Sequence, residues 1–147
     1  MEDLSAYLYE LIQKYRPQSE GHLAEYIPEL SKVDPKLFSL AVVTADGKVF
    51  KAGDSDVLFS LQSTSKPFLY AMAVQELSRE FMLSKVGVEP TGEAFNSIVE
   101  LEKHTHRPYN PMINSGAIAV SSFIKDTPEK KRLDRVLDLF SDLAGRN

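Results

Sequence analysis

The chain has 147 residues, 43% hydrophobic and 26% charged, which fits one ordinary soluble domain with a buried core. A net charge of −4 and a pI near 5.4, with basic residues scattered rather than striped, argue against nucleic acid or an anionic membrane as partner. The absence of cysteine excludes disulfides, thiolate catalysis and thiolate-type zinc sites.

Met1-Glu2-Asp3-Leu4 lacks the basic start and long apolar core of a secretory signal, and no run is long enough to span a bilayer, so a cytoplasmic location is expected. Leu4, Leu8, Leu11, Ile12 and Tyr15 recur at helical spacing and Arg16-Pro17 stops the pattern, predicting an amphipathic first helix. From Gly21 to Leu30, Tyr26-Ile27-Pro28 forces extended geometry before the proline, so a short helix or turn gives way to a loop. Phe38 to Thr44, the Asp46-Gly47 turn signal and Val49 to Ala52 predict an antiparallel hairpin over about Phe38–Ala52. Two strands are marginal alone, so this hairpin calls for further strands or covering helices.

The hairpin leads into Leu61-Gln62-Ser63-Thr64-Ser65-Lys66-Pro67, followed by an uncharged run from Phe68 to Val74. In a helix Ser63 and Lys66 lie one above the other, within reach of a proton transfer. Pro67 is tolerated in a first turn, which places the helix start near Ser63, and a segment apolar on every face predicts a buried helix with the serine at the mouth of the core. The helix dipole and partial burial both favour a neutral Lys66 amine, able to act as general base toward Ser63, while free N–H groups at the helix start hold a developing oxyanion. With 15 serines and 11 lysines, about one Ser-x-x-Lys match arises from composition alone. The second match, Ser122-Phe123-Ile124-Lys125, precedes a helix exit and reads as structural.

After Leu77 the helical signal fades, and Val86 to Asn96 is punctuated like a shaped loop. His104-Thr105-His106 has metal-ligand alternation without a carboxylate or cysteine partner nearby and reads as a polar loop, so no metal site is expected. Pro108 to Ile118 is another loop with a small-residue buried helix from Ala117 to Ile124. Thr127-Pro128 reads as an N-cap and first helical residue, Leu133, Val136, Leu137, Phe140 and Leu143 as the apolar face of the last helix, and Gly145 as its stop.

Four blocks resemble one family: Ala24-Glu25-Tyr26-Ile27-Pro28; Leu61 to Pro67; Glu89-Pro90-Thr91-Gly92 with Phe95-Asn96; and Asn110-Pro111-Met112-Ile113-Asn114-Ser115-Gly116-Ala117-Ile118. In this order and spacing they resemble the serine-dependent glutaminases. The resemblance implies an α/β fold of the β-lactamase and penicillin-binding-protein type. It also implies hydrolysis of L-glutamine to L-glutamate and ammonia without metal or organic cofactor, and a homo-oligomer. Carried over position by position, Ser63 is similar to the family's nucleophile and Lys66 to its base, while Gln62, Ser63, Asn114 and Tyr26 are similar to residues lining the glutamine site. Ser115 stands where the family usually has alanine. Family members continue well beyond the position of Asn147, so residues 1–147 are expected to form a single, truncated glutaminase domain with an incomplete sheet. Bland roles stand beside these: Ser63 or Asn114 as helix caps and Tyr26 as a packing aromatic. Two other functions stay open, a fragment that binds a partner or its missing half, and a β-lactam-reactive serine enzyme.

Overall fold

A computed structural model of the chain describes residues 3–92 and 106–146, as an α/β arrangement of five α-helices and one antiparallel hairpin among those residues. It divides into two compact units, Met1–Ser60 and Leu61–Asn147.

In the first unit, α1 (Leu4–Tyr15) is capped by Asp3, whose carboxylate accepts the Ser5 N–H at 3.0 Å, and it buries Leu8 and Ile12 from the predicted apolar stripe. The hairpin pairs β1 (Ser39–Val43) with β2 (Val49–Gly53), from Ser39 opposite Gly53 to Val43 opposite Val49. Gly47 takes φ 82° in the turn, as Asp-Gly predicts. Gly53 permits a close approach: a Cβ there would overlap the Phe38 carbonyl and come within 2.9 Å of Ile12 Cδ1. Arg16, just past α1, donates to the Phe38 carbonyl at 3.1 Å and to Asp54 Oδ2 at 2.8 Å, and the same Asp54 oxygen accepts the Phe38 N–H at 2.9 Å. One helix, one strand entrance and one strand exit are thereby tied together. A single 3-10 turn, Leu30–Lys32, follows the Tyr26-Ile27-Pro28 bend.

The second unit opens with a 3-10 turn, Gln62–Ser65, which leads into α2 (Lys66–Leu77) with Pro67 in its first turn. The predicted start near Ser63 holds for the turn, whereas α-helical bonding begins at Lys66. The expectation of a buried helix needs correction, because only Ala73 of α2 is fully buried while Phe68 remains 42% exposed and Ser63 lies at the surface. The physical reason is one-sided cover: Ala73 joins Met82, Val86, Val120 and Ile124 in the core, and the other apolar residues of α2 that pack against this cluster are only partly buried.

Helix α3 (Arg79–Lys85) falls where the sequence predicted fading helicity. Ser78 makes it possible by ending α2 and starting α3 at φ 84°, ψ 155°, with its hydroxyl accepting the Phe81 N–H at 3.3 Å. Helix α4 (Asn114–Phe123) begins three residues earlier than predicted. Ser122 turns its hydroxyl back onto the Ala119 carbonyl at 2.7 Å, a local role that agrees with its structural reading. The last helix, α5 (Arg132–Leu143), starts later than Thr127-Pro128 predicts. Thr127 closes a turn with Lys130, and Asp126 Oδ1 takes the Arg132 N–H at 2.7 Å, moving the effective cap to the new start. Gly145, at φ 67°, stops α5 as predicted: its N–H bonds to Asp142 and that of Arg146 to Ser141, the paired bonds of a Schellman cap. Arg135 binds Glu76 and the Lys125 carbonyl, fixing α5 against α2, and Phe68 meets Phe140 edge-on at 5.8 Å. Of the loop predicted over 86–96, residues 93–96 lie outside the described residues, as do His104 and Thr105.

Candidate functional site

Gln62, Ser63 and Lys66 share one tight turn. Gln62 holds φ 48°, a left-handed value for a residue with a side chain, immediately before the predicted nucleophile. Backbone of that kind costs about 1–3 kcal/mol and persists only where its surroundings enforce it. Here two hydroxyls do so, with Thr64 donating to the Leu61 carbonyl and Ser65 to the Gln62 carbonyl, the latter at 2.8 Å. The Thr64 N–H is spent on Leu61 and the Lys66 N–H on Ser63, which removes two of the amides predicted to be free for an oxyanion.

Lys66 is half-buried and points to the loop that enters α4. Its Nζ donates to the Asn114 side-chain oxygen at 2.7 Å and to the Met112 carbonyl at 2.9 Å. Burial pushes the amine below its ordinary value, the direction predicted. A neutral amine has two N–H donors and one lone pair. Two uncharged acceptors match those donors, and Ser63 lies one turn back along the same segment.

Asn114 is therefore brought to Lys66 by contact, and its side-chain oxygen serves the amine rather than capping α4. Tyr26 belongs to the N-terminal unit, in the bend before the Leu30–Lys32 turn, where it is 67% exposed.

The loop behind these contacts was not singled out residue by residue in the sequence. Asn110 Oδ1 accepts from the N–H groups of Met112 at 3.0 Å and Ile113 at 3.2 Å, and its Nδ2 donates to the Glu89 carbonyl at 2.9 Å. Residues 87–89 and 108–109 lie side by side, with Gly87 N–H bonded to the Pro108 carbonyl at 2.8 Å and Glu89 N–H to that of Tyr109 at 3.0 Å. The available signal was the Asn110-Pro111 dipeptide, a turn initiator whose asparagine can bond its own backbone two residues on. An open groove borders this loop, lined in part by Glu89, Thr91, Asn110 and Met112.

The glutaminase family model matches residues 21–147. The chain belongs to the glutaminase family. It is similar to the glutaminase of Trichormus variabilis, with 51% identity over 94% of this chain and 41% of that protein, and to that of Nostoc sp., with 50% identity over the same shares. Among solved structures it is similar to Mglu in its tris and glutamate form, with a TM-score of 0.86 and 42% identity over 99% of this chain and 33% of that one. A Bacillus glutaminase gives a TM-score of 0.81 at 30% identity over 97% of this chain and 44% of that one. This glutaminase-family chain thus spans less than half the length of the relatives it matches. Among the described residues, no group of acidic, histidine or cysteine side chains could hold a metal ion, and no helix is long and apolar enough to cross a membrane.

Proposed function

We propose that the chain carries the nucleophile and base of an enzyme that hydrolyses the side-chain amide of L-glutamine to L-glutamate and ammonia. The observation that supports it most is the Lys66 amine held by Asn114 and Met112, one turn from Ser63, in a chain of the glutaminase family. Ser63 Oγ attacks the amide carbon while its proton passes to the Lys66 lone pair. The same amine returns that proton to the departing nitrogen, releasing ammonia and leaving a glutamyl ester on Ser63. Water then attacks the ester, its proton taken by Lys66 and passed to the departing Ser63 Oγ, and glutamate leaves with the serine and the amine restored. Gln62 and Asn114 line the glutamine site in this reading, with Asn114 serving both amine and substrate, and a substrate-binding role for Tyr26 rests on the family resemblance alone. A glutamate form of Mglu is consistent with an enzyme of this class binding its product.

The same proposal reads residues 1–147 as part of one domain of the β-lactamase and penicillin-binding-protein type. An antiparallel hairpin followed in the chain by a 3-10 turn and helix that together carry Ser-x-x-Lys supports that reading. It also takes the enzyme as a cytoplasmic homo-oligomer. The test is ammonia release from glutamine by the chain and by Ser63→Ala. Activity confined to the unsubstituted chain is expected; equal rates in both would overturn the assignment of Ser63.

A further inference from the structure

We infer that Asn110 is a positioning residue for Lys66: it fixes the loop whose Met112 carbonyl and Asn114 side chain hold the amine. The inference rests on the reading of Lys66 as the base.

Asn110 is tied on every polar atom of its side chain. Its Oδ1 gathers the N–H groups of Met112 and Ile113, while its Nδ2 reaches across to the Glu89 carbonyl at 2.9 Å. The first pair of bonds sets the direction of the peptide that carries the Met112 carbonyl. The third anchors that turn to the neighbouring segment, itself pinned by the Gly87–Pro108 and Glu89–Tyr109 backbone bonds. Arg107 adds a further tie by donating to the Leu83 carbonyl at 2.6 Å.

From the opposite side, Gly116 of α4 lies against the Asn110 carbonyl so closely that a Cβ would overlap it. The turn is thus held between α4 and residues 87–89, with buried Pro111 and Ile113 filling it. Lys66 meets this turn at both ends of Met112-Ile113-Asn114, taking the carbonyl of the first residue and the side chain of the last. Loss of the Asn110 amide frees the two N–H groups that orient the turn, and the acceptors lose their fixed distance from the amine.

The test reads Lys66 directly and needs no turnover. With 15N-labelled lysine, hydrogens on an amine held by two acceptors exchange slowly with water and are visible by NMR. Lys130, bonded to Asp138 at 2.6 Å, provides the internal reference. In Asn110→Ala the Lys66 hydrogens are expected to exchange at least about fivefold faster, the scale set by one lost hydrogen bond, with Lys130 unchanged. Asn110→Ser keeps a weaker acceptor for the Met112 N–H and is expected to fall between. If Asn110→Ala does not fold, the serine variant still decides: an intermediate rate supports the inference. Unchanged Lys66 exchange in folded variants would overturn it, even if their melting temperature fell. Failure of Ser63→Ala to abolish ammonia release is a separate outcome that removes the assignment of Ser63 as nucleophile while leaving the exchange result to stand by itself.

Discussion

Asn114 and Lys66 stand 48 positions apart in sequence and 2.7 Å apart in space, a neutral amide oxygen facing an amine that burial already pushes toward its neutral form. Neutrality of the acceptor is the chemical point. A carboxylate here would secure the lysine as a cation and deny it the lone pair that a general base requires.

Asn114→Asp exploits that difference. The new carboxylate sits against Nζ, raises the amine's affinity for its proton and forms an ion pair, so thermal stability is expected to hold or rise. Ammonia release from glutamine is expected to drop by about 10²–10⁴-fold, the range lost with a general base. Melting temperature and rate, measured on the same preparation, check the opposite signs.

The lowered Lys66 value also fixes a pH dependence. Below the folded-state value both folded and unfolded chains hold the proton; between that value and the ordinary 10.5 the unfolded chain holds it and the folded chain does not. Unfolding takes up a proton in that window, so this residue makes stability rise with pH there. Comparison with Lys66→Met isolates it from other groups titrating in the same range: the upward slope should be steeper in the unsubstituted chain. The acid limb of kcat/KM for glutamine is expected below 10.5 as well, and Lys66→Met should remove the activity that shows it.

Close packing at Gly116 offers a purely steric prediction. Alanine would favour the helix by about 1 kcal/mol. Its Cβ, however, would overlap the Asn110 carbonyl, a backbone atom that cannot swing aside, and overpacking of this sort costs about 1–3 kcal/mol or more. Gly116→Ala is therefore expected to lower the urea midpoint, while Gly21→Ala, with nothing within 4 Å of the new Cβ, should leave it unchanged.

What the sequence made legible follows from how local each cause is. The hairpin was readable because Asp46-Gly47 and the flanking β-favouring residues act within a few positions, and Gly47 adopts the positive φ that the pair encodes. Gly145 and the α1 stripe were readable on the same grounds. Helix α3 was not, since its start depends on Ser78 occupying φ 84°, which no local preference for serine indicates. The delayed start of α5 likewise depends on Asp126 reaching six residues forward to Arg132. At the site, Ser-x-x-Lys and the asparagine block supplied the candidates, of which Lys66 and Asn114 are in contact, whereas the clamp through Asn110 depends on residues 87–89 lying beside 108–109. That pairing is long-range and leaves no periodic trace.

Ser115 supplies a test of the one departure from the family pattern noted at the site. Its Oγ is buried with no hydrogen-bond partner among the described residues, although it follows Asn114 directly on α4. A buried hydroxyl in that condition costs about 1–3 kcal/mol, and alanine is also the better helix former by a few tenths of a kcal/mol. Removing only the oxygen leaves a cavity smaller than a methyl group, so little packing is lost. Ser115→Ala is expected to raise unfolding stability by about 1 kcal/mol or more, read as a higher urea midpoint at an unchanged m-value. The Lys66–Asn114 contact does not use the hydroxyl, so ammonia release should stay within about twofold. A fall in stability would mean that the hydroxyl has a partner after all, and a large fall in activity would place Ser115 in the glutamine site.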